Sequence, residues 1–176
     1  MIEGRPNVVV VGVGHSGTTI LTKMLGLLGW NTPQADNRYC EHVGMRGANR
    51  AALRTQRLPQ PRLQRIMAQL KTQTPWVVKD PRLSVTLDLW VPGFTQIGLP
   101  TLCWIQKDLA AVKRSYLKRN EKIRGVAGNR WNGSRRGYTV DEQWELLTAQ
   151  VGQWPGPVIT IQYDQLAEVT SLFKPR

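Results

Sequence analysis

Acidic residues are scarce in this chain. Its 12 Asp and Glu stand against 24 Lys and Arg, a net charge of +12 over 176 residues. Such an excess draws polyanionic ligands to the surface, nucleotides, nucleic acids and acidic glycans alike, without choosing among them. Cysteine is scarcer still. Cys40 and Cys103 follow no metal-ligand spacing, and Cys103 sits in an apolar run, so a buried, reduced thiol is expected there. No hydrophobic run is long enough to span a bilayer and no signal-peptide pattern opens the sequence, which leads to the expectation of a soluble, cytoplasmic protein. Internal repeats are also missing. The length suits one domain with a real core but no separate substrate domain. The opening MIEGR contains IEGR, a protease recognition sequence, so residues 1–5 are set aside from functional reading.

Glycine is where this chain is distinctive. Val8 to Val11 form an unbroken β-branched run, read as a strand buried on both faces, and Gly12, Gly14 and Gly17 break it before an apolar helical period begins. Strand, glycine-rich turn and helix make an arrangement in which consecutive backbone N–H groups converge beside a helix N-terminus. That is an anion cradle, usually for phosphate. The spacing GVGHSGTT nearly matches the Walker A pattern, but Thr18 stands where that pattern has lysine. Kinases and GTPases use that lysine on the β- and γ-phosphates, so its absence argues against ordinary nucleoside triphosphate chemistry. A cradle made of Gly14, His15, Ser16, Gly17, Thr18 and Thr19 must hold its anion chiefly with amides and hydroxyls, and Gly17 is expected to leave room for it.

Downstream, NTPQADNR reads as a polar loop leading to Glu41 and His42. Arginines 46, 50, 54 and 57 then fall at helical spacing along one face, either a solvated stripe or a track for an anionic acceptor. LPQP interrupts this helix, and it resumes from Arg62 to Lys71. Trp76 to Val78 form a short strand, after which Asp80 caps a helix with Pro81 at its first position. Lys79, Asp80 and Arg82 thus lie at the carboxyl end of a strand, where open α/β sheets bind ligands. Capping accounts for Asp80 and Pro81 but not for Lys79 and Arg82. TLCWIQ is the third strand, followed by a helix that Asp108 caps. Glu121 to Tyr138, with Arg124, Arg130, Arg135 and Arg136, is too long for a mere connection and reads as a mobile binding loop. A helix from Thr139 to Val151 and the strand PVITIQ, with YDQL as a helical turn, complete the pattern. Four strands with helical crossovers imply an α/β fold, three layers α/β/α around a central parallel sheet with right-handed connections, P-loop-NTPase-like at its first turn.

Several of these motifs, in this order, resemble the sulfotransferases that use 3′-phosphoadenosine 5′-phosphosulfate (PAPS). GHSGTT is similar to the family's 5′-phosphosulfate loop, K/R-S-G-T-T/S, with His15 in place of the basic residue. VVKDPRLS looks like the K-D-P-R segment of bacterial-type members, and YDQL resembles their Y-E-D-L. Lys107 and Ser115 stand where the family has an arginine and, eight residues on, a serine that together bind the 3′-phosphate. Lysine keeps the charge there but loses the bidentate fork. The resemblance covers most of residues 7–167. It implies transfer of a sulfuryl group from PAPS to an acceptor hydroxyl, on a glycan or a small molecule that can itself be anionic. His15 would stabilise charge on the departing bridging oxygen, and Glu41 would be the general base, with His42 and Asp80 as rivals. Lys79, Asp80, Arg82 and Arg46 would face the acceptor. No metal is expected, because a sulfuryl group carries less charge than a phosphoryl group. Two other classes stay open: a P-loop kinase with a displaced lysine such as Lys79, and a basic nucleic-acid-binding module using the arginine stripe and seven tryptophans, of which nucleic acid is the less favoured partner.

Overall fold

The computed structural model describes residues 4–122 and 138–167. Its centre is β1 (Val8–Val11), the β-branched run expected from sequence, buried along its whole length. β1 is flanked on one side by β2 (Val77–Lys79) and on the other by β3 (Thr101–Gln106), with β4 (Val158–Gln162) beyond β3. Every pairing is parallel, with Val8 opposite both Val77 and Thr101, and Leu102 opposite Val158.

Alternation along the strands sorts the core into two layers. Val9, Val11, Val78, Leu102 and Trp104 face one side. There they pack on α2 (Val43–Thr55), α3 (Gln60–Lys71), α4 (Leu87–Ile97), α5 (Leu109–Lys122) and α6 (Val140–Gly152). Val8, Val10, Val77, Cys103 and Ile105 face the other, against Leu21 and Leu25 of α1 (Thr18–Leu27). The result is an α/β fold with an all-parallel four-stranded sheet, compatible with three α/β/α layers. Among the described residues no helix is long and apolar enough to cross a membrane. Cys103 is fully buried and its thiol is pushed up to about 12 by loss of hydration, so it stays protonated.

Local signals set most boundaries. Thr139 and Glu142 form the reciprocal capping box that starts α6, and the Asp108 carboxylate accepts from the Ala111 amide at 2.7 Å. Two expectations shift. β2 is followed first by a single 3₁₀ turn, Pro81–Ser84, before α4 begins at Leu87, and Arg57 lies beyond the end of α2, where Gln56 turns left-handed at φ 57°. The expected binding loop with Arg124, Arg130, Arg135 and Arg136 lies outside the described residues apart from its first two and last positions.

The helical layer is pinned by one polar residue. Asn49, fully buried on α2, accepts from the Trp90 indole at 2.7 Å and from the Thr86 hydroxyl at 3.0 Å through the same oxygen. The indole, itself fully buried, would have no acceptor there once the amide is gone. Asn49→Ala should therefore lower the unfolding free energy by roughly 2–4 kcal/mol. Arg50→Ala, on the exposed face one residue on, should change it by less than about 0.5 kcal/mol. Urea unfolding followed by tryptophan fluorescence reads both.

Candidate functional site

Because all four strands are parallel, their carboxyl ends share one edge of the sheet. The chain leaves β1 toward β2 on one side and leaves β3 toward β4 on the other, so the connections diverge between β1 and β3, the position at which such sheets bind ligands. The glycine turn after β1 and Lys107 after β3 both stand at this point.

The turn is built for convergence of amides. His15 (φ 65°) and Gly17 (φ 99°) are both left-handed and flank Ser16, an alternation that directs successive N–H groups to one side. Ser16 donates its own amide to the Val13 carbonyl at 3.0 Å, closing the turn, and α1 then starts at Thr18, with the Thr18 and Thr19 N–H groups lacking backbone acceptors among the described residues. The Ser16 side chain is 2% exposed and its hydroxyl has no hydrogen-bond partner among the described residues. Thr18 is buried and Thr19 half-buried behind it.

Two tyrosines frame this turn. The Tyr116 hydroxyl occupies the place a Cβ on Gly14 would take, and its ring meets the His15 imidazole edge-on, centroids 4.6 Å apart. The Tyr163 ring lies within 2.7 Å of where a Gly17 Cβ would stand, with Leu166 beside it. The space over Gly17 is thus filled by protein, which corrects the expectation that glycine there leaves room for the anion: glycine is required by positive φ and by Tyr163. Lys107 places its ammonium 3.5 Å from the His15 carbonyl and 3.9 Å from the centroid of the Tyr163 ring. The cation at the rim of the turn therefore comes from Lys107, while the His15 ring is turned toward α5. Ser115 is half-buried on α5 beside Tyr116. The spacing of Leu109, Val112 and Tyr116 marks the buried face of this helix, a signal by which Tyr116 could have been picked from sequence.

A second cluster adjoins the first through Thr19. The segment after α1 runs beside β2, from the Asn31 carbonyl, which accepts from Val77 at 2.8 Å, to the His42 amide, which donates to the Lys79 carbonyl at 3.2 Å. This brings Glu41 and His42 to the carboxyl edge, as expected. Lys79, 2% exposed, donates to the Thr19 hydroxyl at 3.1 Å and the Tyr39 carbonyl at 2.9 Å and stands 3.8 Å from Glu41. Glu41 also meets Arg82 at 3.4 Å and Arg46 at 4.0 Å; Arg82 pairs with Asp80 at 3.1 Å, and Arg46 with Asp36 at 3.0 Å. Three cations and three carboxylates are thereby interlocked. Burial lowers the Lys79 ammonium from its ordinary value against the pull of Glu41 and Asp80, and raises the Asp80 carboxyl against the pull of Arg82. Lys79, Asp80, Arg82 and Arg46, singled out in the sequence as acceptor-facing, are thus brought together with Glu41, with much of their charge already paired. Asp80 also accepts from the Arg82 amide at 2.8 Å, the capping role expected of it.

His42 has a structural task of its own. Its Nδ1 accepts from the Met45 amide at 3.2 Å, capping α2, and the side chain is 1% exposed. Desolvation brings its pKa down to about 4. No family model and no curated protein matches the chain.

The pH dependence follows from this burial. His42 stays neutral in the fold while the unfolded chain binds a proton near 6.5, so its contribution is complete above pH 6.5 and is lost as pH falls toward 4, by about 3 kcal/mol. The raised carboxyl of Asp80 acts in the opposite sense, so the comparison must be made against a variant. Relative to His42→Asn, which keeps a cap without a titrating group, the parent should lose stability more steeply between pH 6.5 and 4 in urea titrations.

Proposed function

We propose that the protein is a sulfuryl transferase that takes the group from PAPS and gives it to an acceptor hydroxyl. The observation that carries this reading is the Ser16 hydroxyl, buried and without a hydrogen-bond partner among the described residues, between two left-handed residues at the start of α1, with a lysine at the rim of the turn and none within it. A turn lacking the internal lysine suits a ligand whose terminal group carries one negative charge rather than two. Its position after the central strand, at the point where chain connections diverge, supports a P-loop-like reading of the fold.

The donor supplies an activated sulfuryl group, whose sulfur–oxygen bond to the 5′-phosphate breaks as the acceptor oxygen bonds sulfur. The amides of the turn and the Ser16 hydroxyl bind the phosphosulfate oxygens, with Gly14, Gly17, Thr18 and Thr19 shaping the cradle. Lys107 offers positive charge beside the turn and, with Ser115, binds the 3′-phosphate. His15 carries the left-handed turn and packs on Tyr116, so its contribution is to hold the cradle as well as to meet charge. Glu41 takes the acceptor proton, and its cationic neighbours Lys79 and Arg82 fix the carboxylate in place. His42, capped onto α2 through Nδ1, is the weaker base.

One observation favours a second reading. Lys79 reaches the hydroxyl of Thr19, the residue where a Walker A motif places the side chain that holds magnesium, so a kinase with a displaced lysine fits the same contacts.

Calorimetric titration separates the two. With chelator present, 3′-phosphoadenosine 5′-phosphate should bind, and Ser16→Ala should weaken it by about tenfold or more through loss of a charge-assisted hydrogen bond. Binding of ATP only in magnesium, with no binding of the bisphosphate, would overturn the proposal in favour of the kinase. Single-turnover transfer should fall by roughly two to four orders of magnitude in Glu41→Gln with nucleotide affinity little changed. Near-normal transfer in that variant would remove the base role from Glu41.

A further inference from the structure

Between Glu41 and Asp80 the chain carries eight cations, Arg46, Lys79 and six others, and no acidic residue, so this stretch holds +8 of the net +12. Arg46 and Lys79 are spoken for by Asp36 and Glu41. The remaining six sit on or beside α2 and α3, and among the described residues none of them makes an ion pair.

Their placement is ordered. Met45, Ala48, Asn49 and Ala52 are the buried face of α2, which leaves Arg46, Arg50 and Arg54, four residues apart, in a row on the opposite side. The row advances about 6 Å per step and so spans about 12 Å. From α3, the Arg62 guanidinium lies against Gly47, within 2.8 Å of where a Cβ would stand, which sets it alongside Arg46 and Arg50. At its inner end the row begins at Arg46, itself 4.0 Å from Glu41. A basic track thus leads from the exposed face of the helical layer to the carboxylate assigned to proton abstraction.

We infer that this track binds a linear anionic polysaccharide, carrying carboxylate or sulfate groups, and that such a glycan is the acceptor; the second half of this rests on the sulfuryl-transfer reading. Arginine predominates over lysine on the track, and its planar fork matches flat or trigonal oxyanions in pairs. Nucleic acid fits less well. Residues 43–75 contain no Phe, Tyr or Trp, so the track has phosphate-compatible charge but no ring on which an unpaired base could stack. A polysaccharide needs no such platform, and it presents hydroxyls at regular intervals along a chain that the arginines would hold in register with Glu41.

The test is binding without turnover. Titrate the full chain with a carboxylated polysaccharide, a sulfated one, a neutral one of equal length and a single-stranded oligonucleotide, each at several salt concentrations. The anionic glycans should bind and the neutral one should not. Arg50→Gln/Arg54→Gln/Arg62→Gln, at exposed positions outside the turn and the Glu41 cluster, should weaken glycan binding by at least about tenfold and lower the salt slope by about three, in line with one counterion per lost cation. Its circular dichroism and its affinity for 3′-phosphoadenosine 5′-phosphate should match the parent. Unchanged glycan affinity in the variant, or oligonucleotide binding tighter than either glycan, overturns the proposal. Failure of the bisphosphate to bind while the glycan result holds would sink the sulfotransferase reading, and with it the acceptor role of the glycan, and leave the track as a glycan-binding surface.

Discussion

An ammonium group buried at the end of a strand costs several kcal/mol unless acceptors surround it, and the carboxyl edge of this sheet is organised by that requirement. Lys79 meets it with three oxygens from two segments: the Thr19 hydroxyl at the first turn of α1, and in the loop that follows the Tyr39 carbonyl and, two residues on, Glu41. Each is thereby held at a fixed distance from the others. A neutral residue at 79 would leave the loop joined to the helix here by the Thr19 hydroxyl, which donates to the Tyr39 carbonyl at 3.3 Å, and leave Glu41 to the arginines alone.

This edge has two electrostatic halves. Around Glu41 the positive and negative groups balance, so the cluster has little attraction for a free anion and serves to fix a carboxylate in a set orientation. At the glycine turn the donors are amides, a hydroxyl and one rim lysine, with no carboxylate described in contact. On the proposed reading, anion capture and proton acceptance are opposite demands, met at two clusters that adjoin through Thr19 and Lys79, one with its charge paired and the other without carboxylates described in contact.

Much of this was legible in sequence. The four valines, the glycine spacing, the Asp108 and Thr139 caps and the short apolar runs specify strands and helix starts through local chemistry alone, and the structure follows them closely. Lys79 and Arg82 stood out because capping could not explain them. Their pairing with Glu41 did not stand out, because an ion pair between Arg82 and Glu41 joins positions far apart in the chain and leaves no periodic trace. The same holds for Tyr163 over Gly17, whereas Tyr116 was accessible through the spacing of α5. Single-residue geometry explains the remaining shifts. A left-handed Gln56 ends α2 before Arg57, and the turn Pro81–Ser84, which Asp80 caps through the Arg82 amide, separates strand from helix.

The framing of the glycine turn by Tyr116 and Tyr163 bears on the order in which the molecule assembles. The turn lies near the amino end, while both rings arrive from the far half of the chain. Contacts so distant in sequence close late, since loop-closure entropy must be met before they contribute. During synthesis the turn therefore emerges long before the walls that hold it, and a ribosome-bound fragment carrying β1 and α1 has the residues of the cradle without its shape. On the proposed reading, capture of a ligand would then depend on the far half of the chain being in place, and a bound ligand would stabilise the whole fold rather than its first strand and helix.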